Sequence, residues 1–198
     1  MQRRSVIRLA VLAAATAASG GSAAFARSSA RWRTLLDGRS LKGWSPLGGA
    51  NWTLTDGAAQ ANNGTMGFLV SDDDFGDVDI RAEFWVSEDA NSGIFIRCTN
   101  PGEITPTNAY EVNIFDTRPD PTYGTGAIVG VAKVTNMPKT GGRWNVMEIE
   151  ARGDRFTVTV NGQRTVDGVR DAAHARGRIT LQYGAGVVKF RKVQVRAI

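Results

Sequence analysis

The sequence has one cysteine and one histidine in 198 residues. Cys98 has no second cysteine to pair with, so there is no disulfide framework, and the thiol reads as a small buried apolar residue. His174 lies in DAAHARG, a polar connecting stretch. A Ser-His-Asp triad or a multi-histidine metal site needs imidazole beside its partners, so neither is expected. Catalysis, if present, rests on carboxylates, arginine, tyrosine or an oxygen-ligated divalent metal. An excess of one charge is also missing. The formal net charge is +5, but Arg3, Arg4 and Arg8 fall in a removable leader, and without them the balance is near +2. No basic run carries interleaved aromatics, so a nucleic-acid partner is not expected.

Residues 1–26 have a basic start, an apolar run and a small-x-small end at Ala24-Phe25-Ala26. This is the pattern of an export signal cleaved before Arg27. The apolar run 9–18 is too short and too alanine-rich to remain as a membrane span. Arg3-Arg4 resembles a twin-arginine signal, the alternative being an ordinary secretory signal that happens to hold two arginines. No cysteine follows the apolar run to take a lipid. The expectation is a periplasmic or secreted protein, with residues 27–33 a linker and 34–198 a single domain.

Helical periodicity is absent from that domain, and short runs alternating with period two are present instead. Strands are predicted at 52–55, 58–62, 67–70, 78–86, 93–97, 110–115, 144–151, 155–160, 178–183 and 187–195. Asn161-Gly162 predicts a hairpin turn, since both residues tolerate positive φ. Many short strands with regular turns predict an all-β sandwich or jelly roll of antiparallel sheets.

The segment YEVNIFD, residues 110–116, frames the functional question. Tyr110, Val112 and Ile114 share one face, and Glu111, Asn113 and Phe115 share the other. In 78–86 the apolar Ile80, Ala82, Phe84 and Val86 oppose Arg81, Glu83 and Trp85. In 93–97 Ile94 and Ile96 oppose Phe95 and Arg97. If the apolar faces join one core, three strands present rings, carboxylates and guanidinium groups together on the opposite surface. That mixture suits sugars, whose C–H faces stack on aromatics and whose hydroxyls take forked hydrogen bonds. The alternative is structural: Arg81 with Glu83, or Arg97 with Glu111, as ion pairs, and the aromatics as a satellite core.

Leu35-Leu36-Asp37-Gly38, Leu41-Lys42-Gly43-Trp44, Asn91-Ser92-Gly93-Ile94 with Arg97, Tyr110-Glu111-Val112-Asn113-Ile114 with Asp116, Thr125-Gly126-Ala127-Ile128, Val160-Asn161-Gly162 and Phe190-Arg191 follow one another in a specific order. In that order and spacing the chain resembles the 3-keto-disaccharide hydrolase domain family over 34–198. The resemblance implies a concanavalin A-like β-jelly roll and action on sugars carrying a ketone at C3. The ketone acidifies the C2 hydrogen, a base removes it, and the glycosidic oxygen at C1 leaves. Such chemistry needs a base and an oxyanion stabiliser but no histidine.

Under that resemblance Glu111 is the candidate base or metal ligand, and Arg97 the group that stabilises the enediolate or holds a hydroxyl. Asn113, Asp116 and Gln182 are candidates for holding hydroxyls or an ion. Trp85 and Tyr183 are candidate stacking platforms. Asn91 is placed at the rim, with Asn91-Ser92-Gly93 read as a turn. Val129 stands where the family often has tyrosine, and Lys192 where asparagine is common, which bears on substrate choice. Loops 99–108 and 117–125 are expected to border the site. The three consecutive aspartates 72–74 are a possible calcium site or, more simply, a solvated turn. The competing readings are a non-catalytic carbohydrate-binding jelly roll and a structural envelope protein whose polar face is unused.

Overall fold

The computed structural model describes residues 31–198, so residues 1–26, expected to be an export signal, lie outside the described residues. Thirteen strands follow in chain order: β1 (Arg33–Leu36), β2 (Trp44–Ala50), β3 (Thr53–Thr55), β4 (Ala58–Ala61), β5 (Gly64–Phe75), β6 (Val78–Val86), β7 (Asn91–Cys98), β8 (Tyr110–Ile114), β9 (Trp144–Arg152), β10 (Arg155–Val160), β11 (Gln163–Arg170), β12 (Gly177–Ala185) and β13 (Val188–Ala197). A short 3-10 turn at Pro121–Tyr123 interrupts the long connection after β8.

The strands form two antiparallel sheets. The eight-stranded sheet runs β11-β10-β9-β6-β13-β4-β3, with β1 also paired to β13. The five-stranded sheet runs β2-β5-β12-β7-β8. Period-two alternation produces this arrangement because each strand buries one row of side chains between the sheets. Phe84, Phe156, Phe190, Ile80, Leu69, Ile94, Ile114 and Leu181 are all inaccessible to solvent and fill the space between them. Each such side chain contributes roughly 1.5–3 kcal/mol on burial. The turns behave as their residues require: Asp56-Gly57 and Asn161-Gly162 both carry positive φ at the two central positions and close β3–β4 and β10–β11.

The expected strands are present with modest changes of boundary, and β5 is far longer than the 67–70 segment legible in the pattern. Strands β1, β2 and β11 lie outside the predicted runs; β1 begins at Arg33, inside the stretch read as linker. Asn91-Ser92-Gly93 is not a turn but the opening of β7. Among the described residues no helix is long and apolar enough to cross a membrane.

Candidate functional site

Strands β6, β7 and β8 do not present one common surface. β6 belongs to the eight-stranded sheet, between β13 and β9, whereas β7 and β8 lie in the five-stranded sheet. Trp85 therefore faces outward on the opposite side of the molecule from Glu111. It pairs with Trp144 across the strands and is capped by the Lys189 ammonium 5.1 Å from its ring centre. Arg191 lies 4.3 Å over the Trp144 ring and donates to Glu83 at 2.6 Å. These rings are covered by cations, and Trp85 is not a stacking platform for a ligand held at Glu111.

The outer face of the five-stranded sheet is where the remaining candidates meet. Backbone register lines up Ser45, Val70, Thr180, Phe95 and Glu111 as one row across β2, β5, β12, β7 and β8. The next row is Leu47, Phe68, Gln182, Gly93 and Asn113. Half of this face is apolar: Phe68 meets Phe95 edge-on at 5.5 Å, and Val70, Cys98, Ala109 and Ile104 close over them. Loop 99–108 supplies Ile104 and is pinned by Asn108, whose Nδ2 donates to the Glu103 carbonyl at 2.5 Å. A depression of about 280 Å³ lined by Ser45, Leu47, Val70, Pro101 and Arg178 extends along the same face toward β2.

The other half is polar and unsatisfied. Glu111 is only 6% exposed. Burial pushes its carboxyl up to about 7, with the nearby Arg118 guanidinium pulling it part of the way back. No hydrogen-bond donor among the described residues holds the carboxylate. Asn113 donates through Nδ2 to the Tyr123 carbonyl at 2.7 Å, which fixes the amide orientation and leaves Oδ1 without a donor. Gln182 Oε1 and Thr180 Oγ1 are also buried and without partners. A buried polar atom left unmade costs about 1–3 kcal/mol, so several in one place single this patch out as the candidate site. Asn91 lies on this face too, its amide over Gly184.

Three expected residues do not join them. Arg97 is 1% exposed and points away from this face. Its backbone has φ 53° at an irregularity in the β7–β12 ladder, and this left-handed residue breaks the alternation that would have placed it beside Phe95. The side chain instead lies over Phe156 of the core and donates to the carbonyls of Gly76, Gly153 and His174 and to Asp77. Tyr183 faces the core between the sheets, since Ile179, Leu181 and Tyr183 alternate with Thr180 and Gln182. Asp116 is saturated: Thr125 Oγ1, Thr140 Oγ1 and the amides of Thr140 and Gly141 all donate to its carboxylate. It clamps both ends of the long loop after β8 rather than offering oxygens to a ligand.

That loop brings in a residue that sequence reasoning missed. Arg118 is half-buried, acts electrostatically on both Glu111 and Asp120, and has no ion-pair or side-chain hydrogen-bond partner among the described residues. It lies within the 117–125 loop expected to border the site, but nothing in its neighbourhood distinguishes it from an ordinary loop arginine.

The aspartates 72–74 diverge: Asp73 binds Arg33, Asp74 binds Arg178, and Asp72 accepts from Ser45. Among the described residues no group of three or more histidine, cysteine, aspartate or glutamate side chains converges as a metal site. A concavity of about 550 Å³ beside β1 has among its lining charges Arg33, bonded to Asp73, and Asp37, bonded to the Arg39 amide.

Solved structures share this architecture. A provisionally named glycosyl hydrolase from Parabacteroides distasonis superposes with a TM-score of 0.69 at 22% identity, covering 85% of this chain and 100% of that one. A second from the same organism gives 0.74 at 15% identity, covering 84% and 94%. A carbohydrate binding module from Bacillus subtilis gives 0.64 at 16%, covering 78% and 96%. At these identities the likeness establishes the fold, a concanavalin A-like jelly roll. No curated protein matches the sequence. A family model matches residues 31–196, nearly the whole described chain, and on that match the protein belongs to the 3-keto-alpha-glucoside-1,2-lyase-like domain family.

Proposed function

We propose that this protein is an exported enzyme that cleaves 3-keto-glycosides, 3-keto-disaccharides among them, on the outer face of its five-stranded sheet. The observation that carries the reading is Glu111: a buried carboxyl poised near pH 7, with no donor of its own, among unpartnered acceptors. A base of that kind suits removal of a carbon-bound proton near neutral pH. The Glu111 carboxylate takes the proton from C2, and the bonding pair moves through the C2–C3 bond onto the ketone oxygen. Collapse of that enediolate forms the C1–C2 double bond and expels the glycosidic oxygen, which takes a proton and departs as the alcohol. Water then adds across the enone to complete hydrolysis. Arg118, rather than Arg97, is the cation available to the developing oxyanion. Asn113 and Gln182 accept hydrogen bonds from sugar hydroxyls.

The test uses purified mature protein and 3-keto-trehalose, following loss of the keto-sugar and appearance of enone or glucose, with and without chelator. Glu111→Gln is expected to lower kcat by about 10²–10⁴-fold, the range for loss of a general base. Equal turnover by the variant would remove Glu111 from its role. The unpartnered acceptors support a second reading, a lectin-like protein that holds a sugar without cleaving it. Saturable sugar binding with no turnover would select that reading.

A further inference from the structure

The connection between β7 and β8 is longer than its geometry needs. The two strands are neighbours in the five-stranded sheet, and a hairpin loop joining such strands takes about 2–5 residues. Here β7 ends at Cys98 and β8 begins at Tyr110, so residues 99–109 stand between them. The extra chain is laid back over the outer face of the sheet. Ile104 packs on the cluster that holds Phe68, Phe95 and Cys98. Pro101 reaches the depression bordered by Leu47 of β2 and Val70 of β5, which carries the loop past β12, roughly 10–14 Å from β7 at ordinary strand spacing.

This cover is bonded to itself and not to the sheet. Thr99 closes the neck by donating to the Asn108 carbonyl, through its amide at 2.9 Å and its hydroxyl at 3.1 Å. Asn108 Nδ2 donates to the Glu103 carbonyl, and Asn108 Oδ1 accepts from the Thr105 amide. Asn100 accepts from the amides of Gly102 and Glu103. Among the described residues, every hydrogen bond of 99–108 has its partner within 98–108. Ile104 is the loop's apolar anchor on the face below. A segment with one such anchor and a self-contained hydrogen-bond set opens locally at low cost.

Beneath it lie two phenylalanines, edge-on at 5.5 Å and nearly inaccessible to solvent. Phe95 is the cross-strand neighbour of Glu111, and Phe68 that of Gln182, whose Oε1 has no partner. Aromatic rings beside acceptors are what a sugar needs, for its C–H face and for its hydroxyls. With the loop down, no sugar reaches the rings.

We propose that segment 99–108 is a lid on this site. Swinging about its neck at Thr99 and Asn108, it lifts Ile104 from Phe68 and Phe95 and bares the two rings as the surface on which the sugar stacks beside Glu111. This rests on the sugar chemistry proposed for the same face. It adds the way in and the stacking platform, which neither Trp85 nor Tyr183 supplies.

Cys98 reads the lid directly. It is the one cysteine in the chain, it is buried, and it belongs to the cluster under Ile104. Labelling of the native mature protein with 5,5′-dithiobis(2-nitrobenzoate) is expected to run at least 100-fold faster than global unfolding allows. Ile104→Ala should speed labelling about 10-fold, corresponding to about 1.4 kcal/mol. Ile80→Val, which loosens the core at β6, should lower Tm and leave labelling unchanged. Because the sugar binds the open form, Ile104→Ala should tighten binding of 3-keto-trehalose by the same 10-fold factor as the open population rises. Phe95→Leu, checked for folding by its Tm, should weaken that binding about 10-fold. Titration calorimetry on Glu111→Gln, with and without each substitution, reads both effects without turnover. Labelling no faster than global unfolding, or speeded by Ile80→Val, would make Phe68 and Phe95 a fixed satellite core and overturn the lid. Local labelling with an affinity unmoved by Ile104→Ala and Phe95→Leu would overturn the platform beneath it. Turnover by the parent protein, measured alongside, would leave the proposed reaction standing in either case. Local labelling in a protein that neither binds nor turns over the keto-sugar would uphold the lid and overturn the sugar reading.

Discussion

The guanidinium of Arg97 donates to Asp77 Oδ1 at 3.1 Å and, through its other nitrogens, to three backbone carbonyls from three separate turns. Asp77 is half-exposed, so the ion pair itself contributes little; the carbonyl contacts and the packing over Phe156 carry the value. Arg97 therefore ties the 76–77, 153 and 174 turns to one end of the sandwich. Arg97→Ala is expected to lower unfolding stability by about 3 kcal/mol, because it empties a buried volume and strands the carbonyls. Turnover per folded molecule should remain within a few-fold. A variant of normal stability with abolished kcat would return Arg97 to the reaction.

Asp116 performs a similar office for the loop that carries Arg118. Its carboxylate receives donors from residues 125, 140 and 141, closing the segment between β8 and β9. Asp116→Ala leaves those donors unpaired and should cost about 2–3 kcal/mol. The loss is expected to be local before it is global. Hydrogen exchange measured on the Thr140 and Gly141 amides should accelerate well beyond that of the core strands. Uniform exchange across the sheet, or none, would contradict a clamp.

Arg118 favours the ionised form of Glu111, the smaller influence set against burial. Removing it in Arg118→Met should raise the Glu111 carboxyl further and move the acid limb of the kcat/KM profile to higher pH. Arg118→Lys should restore part of the shift. An unmoved profile with only a raised KM would assign Arg118 to substrate binding alone.

Much of this architecture is legible in the residues, and the exceptions have physical causes. Period-two alternation locates β6, β8 and β10 to within a residue, because each buries one face cleanly. Alternation distinguishes two faces of a strand but says nothing about which strand lies beside it. The split of β6 from β7 and β8 across two sheets, which removes Trp85 from the site, has no local signature. β2 carries proline and two glycines in WSPLGGA, and β11 is interrupted by Gly168 and ladder irregularities, so both resemble loops in composition.

The candidate site shows the same limit. Glu111, Asn113, Gln182 and Asn91 follow from alternation and resemblance together, and they do share a face. Arg97 does not, because a single left-handed residue inverted the strand's parity at that point, and arginine gives no warning of positive φ. Tyr183 differs from Gln182 by one residue, which in a strand is the whole difference between site and core. Arg118 comes from a loop whose path depends on the Asp116 clamp.

The pH dependence of stability offers a test that does not require a substrate. The Glu111 carboxyl is raised from an ordinary 4.5 to about 7 in the folded protein. Between those values the native state keeps a proton that the unfolded chain has released. Unfolding therefore releases a proton, and stability falls as pH rises through this window. The cost is fully developed above pH 7 and absent below about 4.5; a shift of this size corresponds to roughly 3 kcal/mol. Glu111→Gln cannot ionise and should lack this slope. Any effect of the substitution on packing or hydrogen bonding is much the same at every pH, so the informative quantity is how the stability difference between variant and parent changes. It should move in favour of the variant by roughly 3 kcal/mol between pH 4.5 and 8, read from urea unfolding midpoints and slopes. The parent's kcat/KM should rise over the same interval as the carboxylate forms, with its half-point near 7. Parallel stability curves for the two proteins would mean that Glu111 titrates normally, and the buried base would have to be sought elsewhere.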